Sequence, residues 1–159
     1  MKKLLLAGIF LILSLHSFGQ GDRYSPDVLR RDAFYVNVGF LSIDLNYERK
    51  IMTYEKGYLF GRVGAGYWAG WAILGANFKF HLSYIYGKKN SHLEFNLGAR
   101  YKGEFVHTSY NEPGGFSDGD MLPIVNIGYR YQKPGRPFVF RAGIGTESVF
   151  YLSIGTSII

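Results

Sequence analysis

From Phe34 to the end of the chain, apolar side chains alternate with polar or small ones. This period of two predicts strands with one apolar face. Eight stretches carry it. Phe34, Val36, Val38 and Phe40 oppose Tyr35, Asn37 and Gly39. Ile43, Leu45 and Tyr47 oppose Ser42, Asp44, Asn46 and Glu48. Leu59, Val63, Ala65 and Tyr67 oppose Arg62, Gly64 and Gly66. The fourth stretch is the most regular: Leu74, Ala76, Phe78, Phe80, Leu82, Tyr84 and Tyr86 oppose Gly75, Asn77, Lys79, His81 and Ser83. Leu93, Phe95, Leu97, Ala99 and Tyr101 then oppose Glu94, Asn96, Gly98 and Arg100. Val125, Ile127, Tyr129 and Tyr131 oppose Asn126, Gly128, Arg130 and Gln132. Phe138, Phe140, Ala142 and Ile144 oppose Arg141, Gly143 and Gly145, and Phe150, Leu152, Ile154 and Ile158 oppose Tyr151, Ser153, Gly155 and Ser157. Breaker-rich segments, Gly87-Lys88-Lys89-Asn90 and Lys133-Pro134-Gly135-Arg136, separate some of them. After residue 20 no helical period survives.

Eight such strands suit a soluble barrel or sandwich with the apolar face inward, or a membrane barrel with that face on lipid. The opposite faces favour the membrane barrel. They hold glycine, serine and single long charges, which suit the narrow interior of an eight-stranded barrel, and Tyr84, Tyr86, Tyr101, Tyr129 and Tyr131 gather toward strand ends as aromatic girdles do. The predicted fold is therefore all-β, an eight-stranded antiparallel transmembrane β-barrel. An even strand number places both termini on the periplasmic side with the short turns, and Gly103 to Leu122 becomes the one long outer connection.

The first residues alter the domain plan. Lys2 and Lys3 precede the apolar run Leu4–Leu13, and Ser17-Phe18-Gly19 offers a small-x-small cleavage site, the pattern of a secretory signal peptide. Ten apolar residues would span only ~15 Å as a helix, half of a ~30 Å hydrocarbon core. The expected plan is a signal peptide at 1–19, a periplasmic N-terminal arm at 20–32 and an outer-membrane barrel at 33–159. Cleavage would leave 16 basic against 12 acidic residues, a net of +4. The basic residues are scattered, so no nucleic-acid partner is expected. The chain has no cysteine, which excludes a disulfide framework and thiol chemistry, while 21 glycines and 28 aromatic residues among 159 agree with β structure.

Several segments together resemble a family of small outer-membrane β-barrel proteins of Gram-negative bacteria. They are Leu45-Asn46-Tyr47-Glu48-Arg49-Lys50, Tyr86-Gly87-Lys88-Lys89 leading to His92-Leu93-Glu94, and Asn126-Ile127-Gly128-Tyr129-Arg130-Tyr131-Gln132 continued by Phe138 to Gly143. In size the chain is also similar to the membrane domain of outer-membrane protein A. The resemblance implies residence in the cell outer membrane, with membrane lipids, lipopolysaccharide and the outer-membrane assembly machinery as partners. It brings no activity. Such barrels usually end on an aromatic residue read by that machinery, whereas this chain ends Ser157-Ile158-Ile159.

Candidate chemistry is sparse. His81 and Ser83 on the fourth stretch and Glu94 on the fifth are the residue types of an acyl-transfer set. The lipid A deacylases are eight-stranded barrels with a similar His-x-Ser motif. The Asn-Ala that commonly follows it is Tyr84-Ile85 here, and alternation turns His81 and Ser83 to the lumen, away from any acyl chain. Gly64-Ala65-Gly66-Tyr67-Trp68-Ala69 fits a loose dinucleotide pattern, but a strand follows it where a helix is needed. His81, His92 and His107 lack metal-ligand spacing. No cofactor, metal or catalytic residue is expected. The lumen charges are more informative: Asp44, Glu48 and Glu94 with Arg62, Lys79, Arg100, Arg130 and Arg141, which would be costly unless paired and so predict an ion-pair network plugging the barrel. By strand adjacency, Glu94 is expected to pair with Lys79, Arg130 or Arg100. The outer loop 103–121 carries Phe105, His107, Tyr110 and Phe116, a candidate surface for an unknown extracellular partner. The expected role is structural or interaction-based. The alternatives are a lipid-modifying enzyme, a narrow channel and an exported lipocalin-like barrel.

Overall fold

The computed structural model describes residues 29–70, 74–87, 89–106, 115–116 and 119–158; the segment expected to be a signal peptide, 1–19, and most of the expected N-terminal arm lie outside the described residues. The strands are β1 (Asp32–Gly39), β2 (Ser42–Tyr54), β3 (Gly57–Ala69), β4 (Leu74–Tyr86), β5 (Ser91–Val106), the two-residue β6 (Gly115–Phe116), β7 (Asp120–Tyr131), β8 (Phe138–Gly145) and β9 (Tyr151–Ile158). Eight long strands run antiparallel in the order β4-β3-β2-β1-β9-β8-β7-β5, and β5 pairs back onto β4. The sheet is closed, so no row of unpaired backbone groups is left to face hydrocarbon. Outside this ring β6 pairs only with the tip of β5.

The alternation maps onto the wall as inside and outside. Phe34, Leu45, Val63, Phe78, Phe80, Leu97, Val125, Ile144 and Ile154 point outward and are between 39% and 69% exposed. The residues between them, Asn37, Asp44, Glu48, Arg62, Asn77, Lys79, His81, Ser83, Glu94, Asn96, Arg130 and Arg141, are at most 5% exposed inside the barrel. A soluble barrel has the reverse distribution. The apolar wall and charged interior make this a transmembrane barrel and set the lipocalin-like alternative aside.

Some strands outrun their period. β2 continues to Tyr54 because a bulge between Lys50 and Met52 shifts the register, which hides the alternation there. β5 reaches Val106 and β7 starts at Asp120, so the long connection of 103–122 is partly strand.

The start of β1 and the end of β9 lie at one end, here the terminal end, with the β2–β3, β4–β5 and β7–β8 junctions; the other strand junctions lie at the far end. Gly87 (φ 110°) and Gly135 (φ 71°) occupy left-handed positions in two terminal-end turns, which explains their breaker composition. Beneath the terminal mouth, Leu29 packs on Tyr58, Phe60 and Ile85 in a small apolar plug. Arg30 ties the incoming chain down by donating to the carbonyls of Ser157 (3.0 Å) and Gly135 (2.9 Å). Inner-face glycines make room for large side chains: a Cβ on Gly128 would stand 2.5 Å from the Tyr151 hydroxyl.

Candidate functional site: the filled lumen and the far rim

The inward positions form two layers. In the layer nearer the terminal end, Glu48 from β2 and Glu94 from β5 share three arginines. Arg62 Nη2 donates to Glu48 Oε2 at 3.0 Å and to Glu94 Oε1 at 2.9 Å. Arg130 pairs with Glu48 and stands 3.7 Å from Glu94 Oε2. Arg141 Nε donates to Glu94 Oε2 at 2.9 Å, and its Nη2 to Oε1. Aromatic faces enclose the guanidinium groups: Arg141 lies 4.5 Å and Arg62 5.2 Å from the Tyr35 ring centre, and Arg130 5.1 Å from that of Phe60.

The layer nearer the far end centres on Lys79. Its Nζ stands 2.7 Å from Asp44 Oδ2 and also pairs with Glu147. Asn77 Nδ2 donates to Asp44 Oδ1 (2.9 Å), and Asn126 Nδ2 to Glu147 Oε2 (2.9 Å). Arg100, only part-buried, donates to the Glu147 carbonyl at 2.7 Å. Among the described residues the buried ions are four carboxylates, Asp44, Glu48, Glu94 and Glu147, and four cations, Arg62, Lys79, Arg130 and Arg141. These buried ions balance one another, and Arg100 adds one part-buried cation at the far mouth.

Two details differ from the sequence reading. Glu94 pairs with Arg62, Arg141 and Arg130, not with Lys79 or Arg100. The register explains this: Lys79 stands opposite Arg100, whereas Glu94 stands opposite Ile85, six residues farther along β5 and ~20 Å at ~3.4 Å per residue. Glu147 is the residue that alternation missed. It sits in the 146–150 connection, outside any strand, and folds into the barrel mouth. The clue was arithmetic: the strand faces alone supply three acids for five bases. Burial by itself would raise the Glu147 carboxyl, but the Lys79 ammonium outweighs it and holds the pKa down at about 2.

The acyl-transfer residue types do not assemble into a relay. Ser83 Oγ donates to Asn96 Oδ1 at 2.6 Å. Glu94 is taken up by arginines, and neither ring nitrogen of His81 has a hydrogen-bond partner among the described residues.

At the far rim, Lys102 Nζ sits 3.4 Å from the Trp68 ring centre, and Trp68 Nε1 donates to the Gly103 carbonyl at 3.3 Å. The Tyr101 hydroxyl accepts from the Gly119 amide at 2.8 Å. Phe105 lies across from Phe116 in the β5–β6 register and 6.5 Å from the Tyr67 ring. His107 and Tyr110 lie outside the described residues.

No family model and no curated protein sequence matches the chain. Among solved structures it is similar to Ail, the attachment invasion locus protein of Yersinia pestis, crystallised in complex with the heparin analogue sucrose octasulfate. That match has a TM-score of 0.52 and 10% identity, and covers 79% of this chain and 92% of Ail. The N-terminal β-barrel domain of Pseudomonas aeruginosa OprF aligns with a TM-score of 0.49 and 12% identity over 80% of this chain and 95% of that domain. The likeness to Ail establishes the fold, that of a small outer-membrane barrel.

Proposed function

We propose that this protein resides in the outer membrane with its terminal end in the periplasm, and that its barrel is a plugged, non-catalytic scaffold presenting the connection 103–121 to an extracellular partner. The observation that carries this reading is the ionic filling of the lumen: every buried carboxylate, lysine and arginine there has an opposite charge at contact distance. An eight-stranded barrel has room for side chains and little else. A set of ions spanning β2, β3, β5, β7 and β8 braces the wall in the way an apolar core braces a soluble domain. The Ser83–Asn96 bond and the arginine-bound Glu94 support a non-enzymatic interior. The aromatic rim of Tyr67, Trp68, Tyr101 and Phe105 supports a contact surface, since rigid scaffolds commonly bind through such loops. Lipopolysaccharide and the assembly machinery follow as the partners of any protein so placed.

The test combines fractionation with single-channel recording. The mature chain should travel with outer membranes, show heat-modifiable mobility, and give no large steady conductance in planar bilayers. A photocrosslinker at Phe105 on intact cells should capture adducts, which a Gly-Ser replacement of 107–118 should abolish without unfolding the barrel. Sustained ion flux lost on Glu94→Gln would replace this reading with a channel. Deacylation of lipid A by the purified protein, abolished by Ser83→Ala, would replace it with an enzyme.

A further inference from the structure

The lipid-facing wall is not uniform. Over β9, β1, β2, β3 and β4 it carries a shallow, open apolar groove of about 810 Å³. Outward-facing Phe34, Tyr47, Phe78 and Ile154 stand around it, with Val63 and the small Ala65 between them. A chain passing along this wall would sink between the rings.

Charge is distributed just as unevenly. Among the described residues at the terminal end, 30–32, 49–56, 89–90 and 132–137 hold eight lysines and arginines against two acids, Asp32 and Glu55. At the far end, besides the lumen's Glu147, 100–106, 119–122 and 145–150 hold two bases against two acids. With the lumen balanced, the positive charge of the described barrel is concentrated in a collar at its terminal end.

The groove and the collar meet at Arg49. It lies on the outward face of β2, two residues and ~6.8 Å beyond Tyr47 toward the terminal end. Asp32 is its loose partner, with a carboxylate oxygen 3.7 Å from the Arg49 Nε, and that same oxygen accepts from the Tyr47 hydroxyl at 2.7 Å. A phosphate can take a guanidinium in a bidentate pair stronger than that contact. Lys56, exposed on the 55–56 turn at the same end, adds a second cation.

We infer that this wall is a binding site for an anionic diacyl phospholipid, with acyl chain in the Phe34–Tyr47–Phe78 groove and headgroup phosphate on Arg49 and the collar. An apolar slot alone would accept any lipid tail. The collar selects the headgroup, because each basic residue close to an anionic lipid surface strengthens attraction about fivefold. The proposal rests on the membrane placement given above, and it assigns the lipid to the leaflet at the terminal end. A lipid with its phosphate at the far end would meet neither Arg49 nor the basic turns.

The experiment is native mass spectrometry of the full mature chain released from vesicles of phosphatidylglycerol and phosphatidylethanolamine in equal amounts. Heat-modifiable mobility of the same sample reports barrel integrity. Retained phosphatidylglycerol should exceed phosphatidylethanolamine at least fivefold. Arg49→Gln should reduce that excess about fivefold. Ala65→Phe, which fills the groove, should remove bound lipid of both kinds, while Ala99→Phe, a matched change on another part of the wall, should leave it bound. Equal retention of the two lipids, an equal effect of the two phenylalanine variants, or, in a second arm with lipid A added in equal amount, stronger retention of lipid A than of phosphatidylglycerol would each overturn the site while leaving the barrel and its far-end surface standing. Failure of the wild type to show heat-modifiable insertion would overturn the membrane reading, and the lipid site with it.

Discussion

Glu94→Gln tests the lumen most directly. Glu94 is 1% exposed, and its carboxylate takes Arg62 at 2.9 Å, Arg141 through Nε at 2.9 Å, and Arg130 at 3.7 Å. At an effective dielectric near 20, one unit-charge contact at about 3 Å is worth roughly 5–6 kcal/mol before desolvation is counted. Glutamine keeps the shape and one acceptor oxygen but removes the charge. The terminal-end layer then holds three guanidinium groups and Glu48 as its only carboxylate. Much of the gross attraction is offset because no carboxylate has to be stripped of water. Breaking a buried pair from one side typically leaves a net cost of about 3–5 kcal/mol, and that is the expected loss. The assay is urea titration of the barrel in lipid vesicles, read by heat-modifiable mobility and tryptophan fluorescence. Glu104→Gln at the far rim is the control, expected to change stability by under about 0.5 kcal/mol. A second arm adds Arg141→Gln to Glu94→Gln; part of the loss should return, because the excess cation goes with it. The reasoning fails if Glu94→Gln costs under about 1 kcal/mol. It also fails if the cost vanishes at 1 M salt, since screening acts on solvated pairs and much less on buried ones.

The remaining predictions concern the wall and the far mouth. Phe80→Arg, at the middle of β4, should cost about 2–4 kcal/mol in lipid vesicles, whereas Met121→Arg at the far start of β7 should cost no more than about 1 kcal/mol; equal costs would contradict the assigned lipid belt. Because the folded Glu147 carboxyl is held at about 2, against 4.5 as its ordinary value, its pairing with Lys79 contributes fully above about pH 4.5 and is lost as the pH falls toward 2. Glu147→Gln should therefore lower stability at pH 7 and flatten the acid limb between those values, and an unchanged acid limb in pH-dependent urea titrations would refute that role.

The period of two was enough to identify the strands, their even number and the side of the wall each residue occupies, because the pleat sends alternate side chains to opposite faces whatever the neighbours are. Asp44, Glu48, Arg62, Lys79, Glu94, Arg130 and Arg141 were thus legible as inward, and Phe78, Phe80 and Leu82 as outward, from local geometry alone. Which of the inward charges meet was not legible. Glu94 on β5 is bound by Arg62 on β3 and Arg141 on β8, and Glu48 on β2 by Arg130 on β7; none of these strands are neighbours. Closure of the sheet and the stagger of its strands set the height of each residue, and a bore this narrow lets long side chains reach across the axis instead of along the wall. That stagger separated Glu94 from Lys79, although their strands are adjacent. Lys79 pairs instead with Asp44 on β2 and with Glu147, the latter on a connection with no period at all, because only the closed barrel brings that loop over its mouth. The groove and collar have the same origin: their residues lie on five strands and several turns, and only the ring of strands places them on one wall.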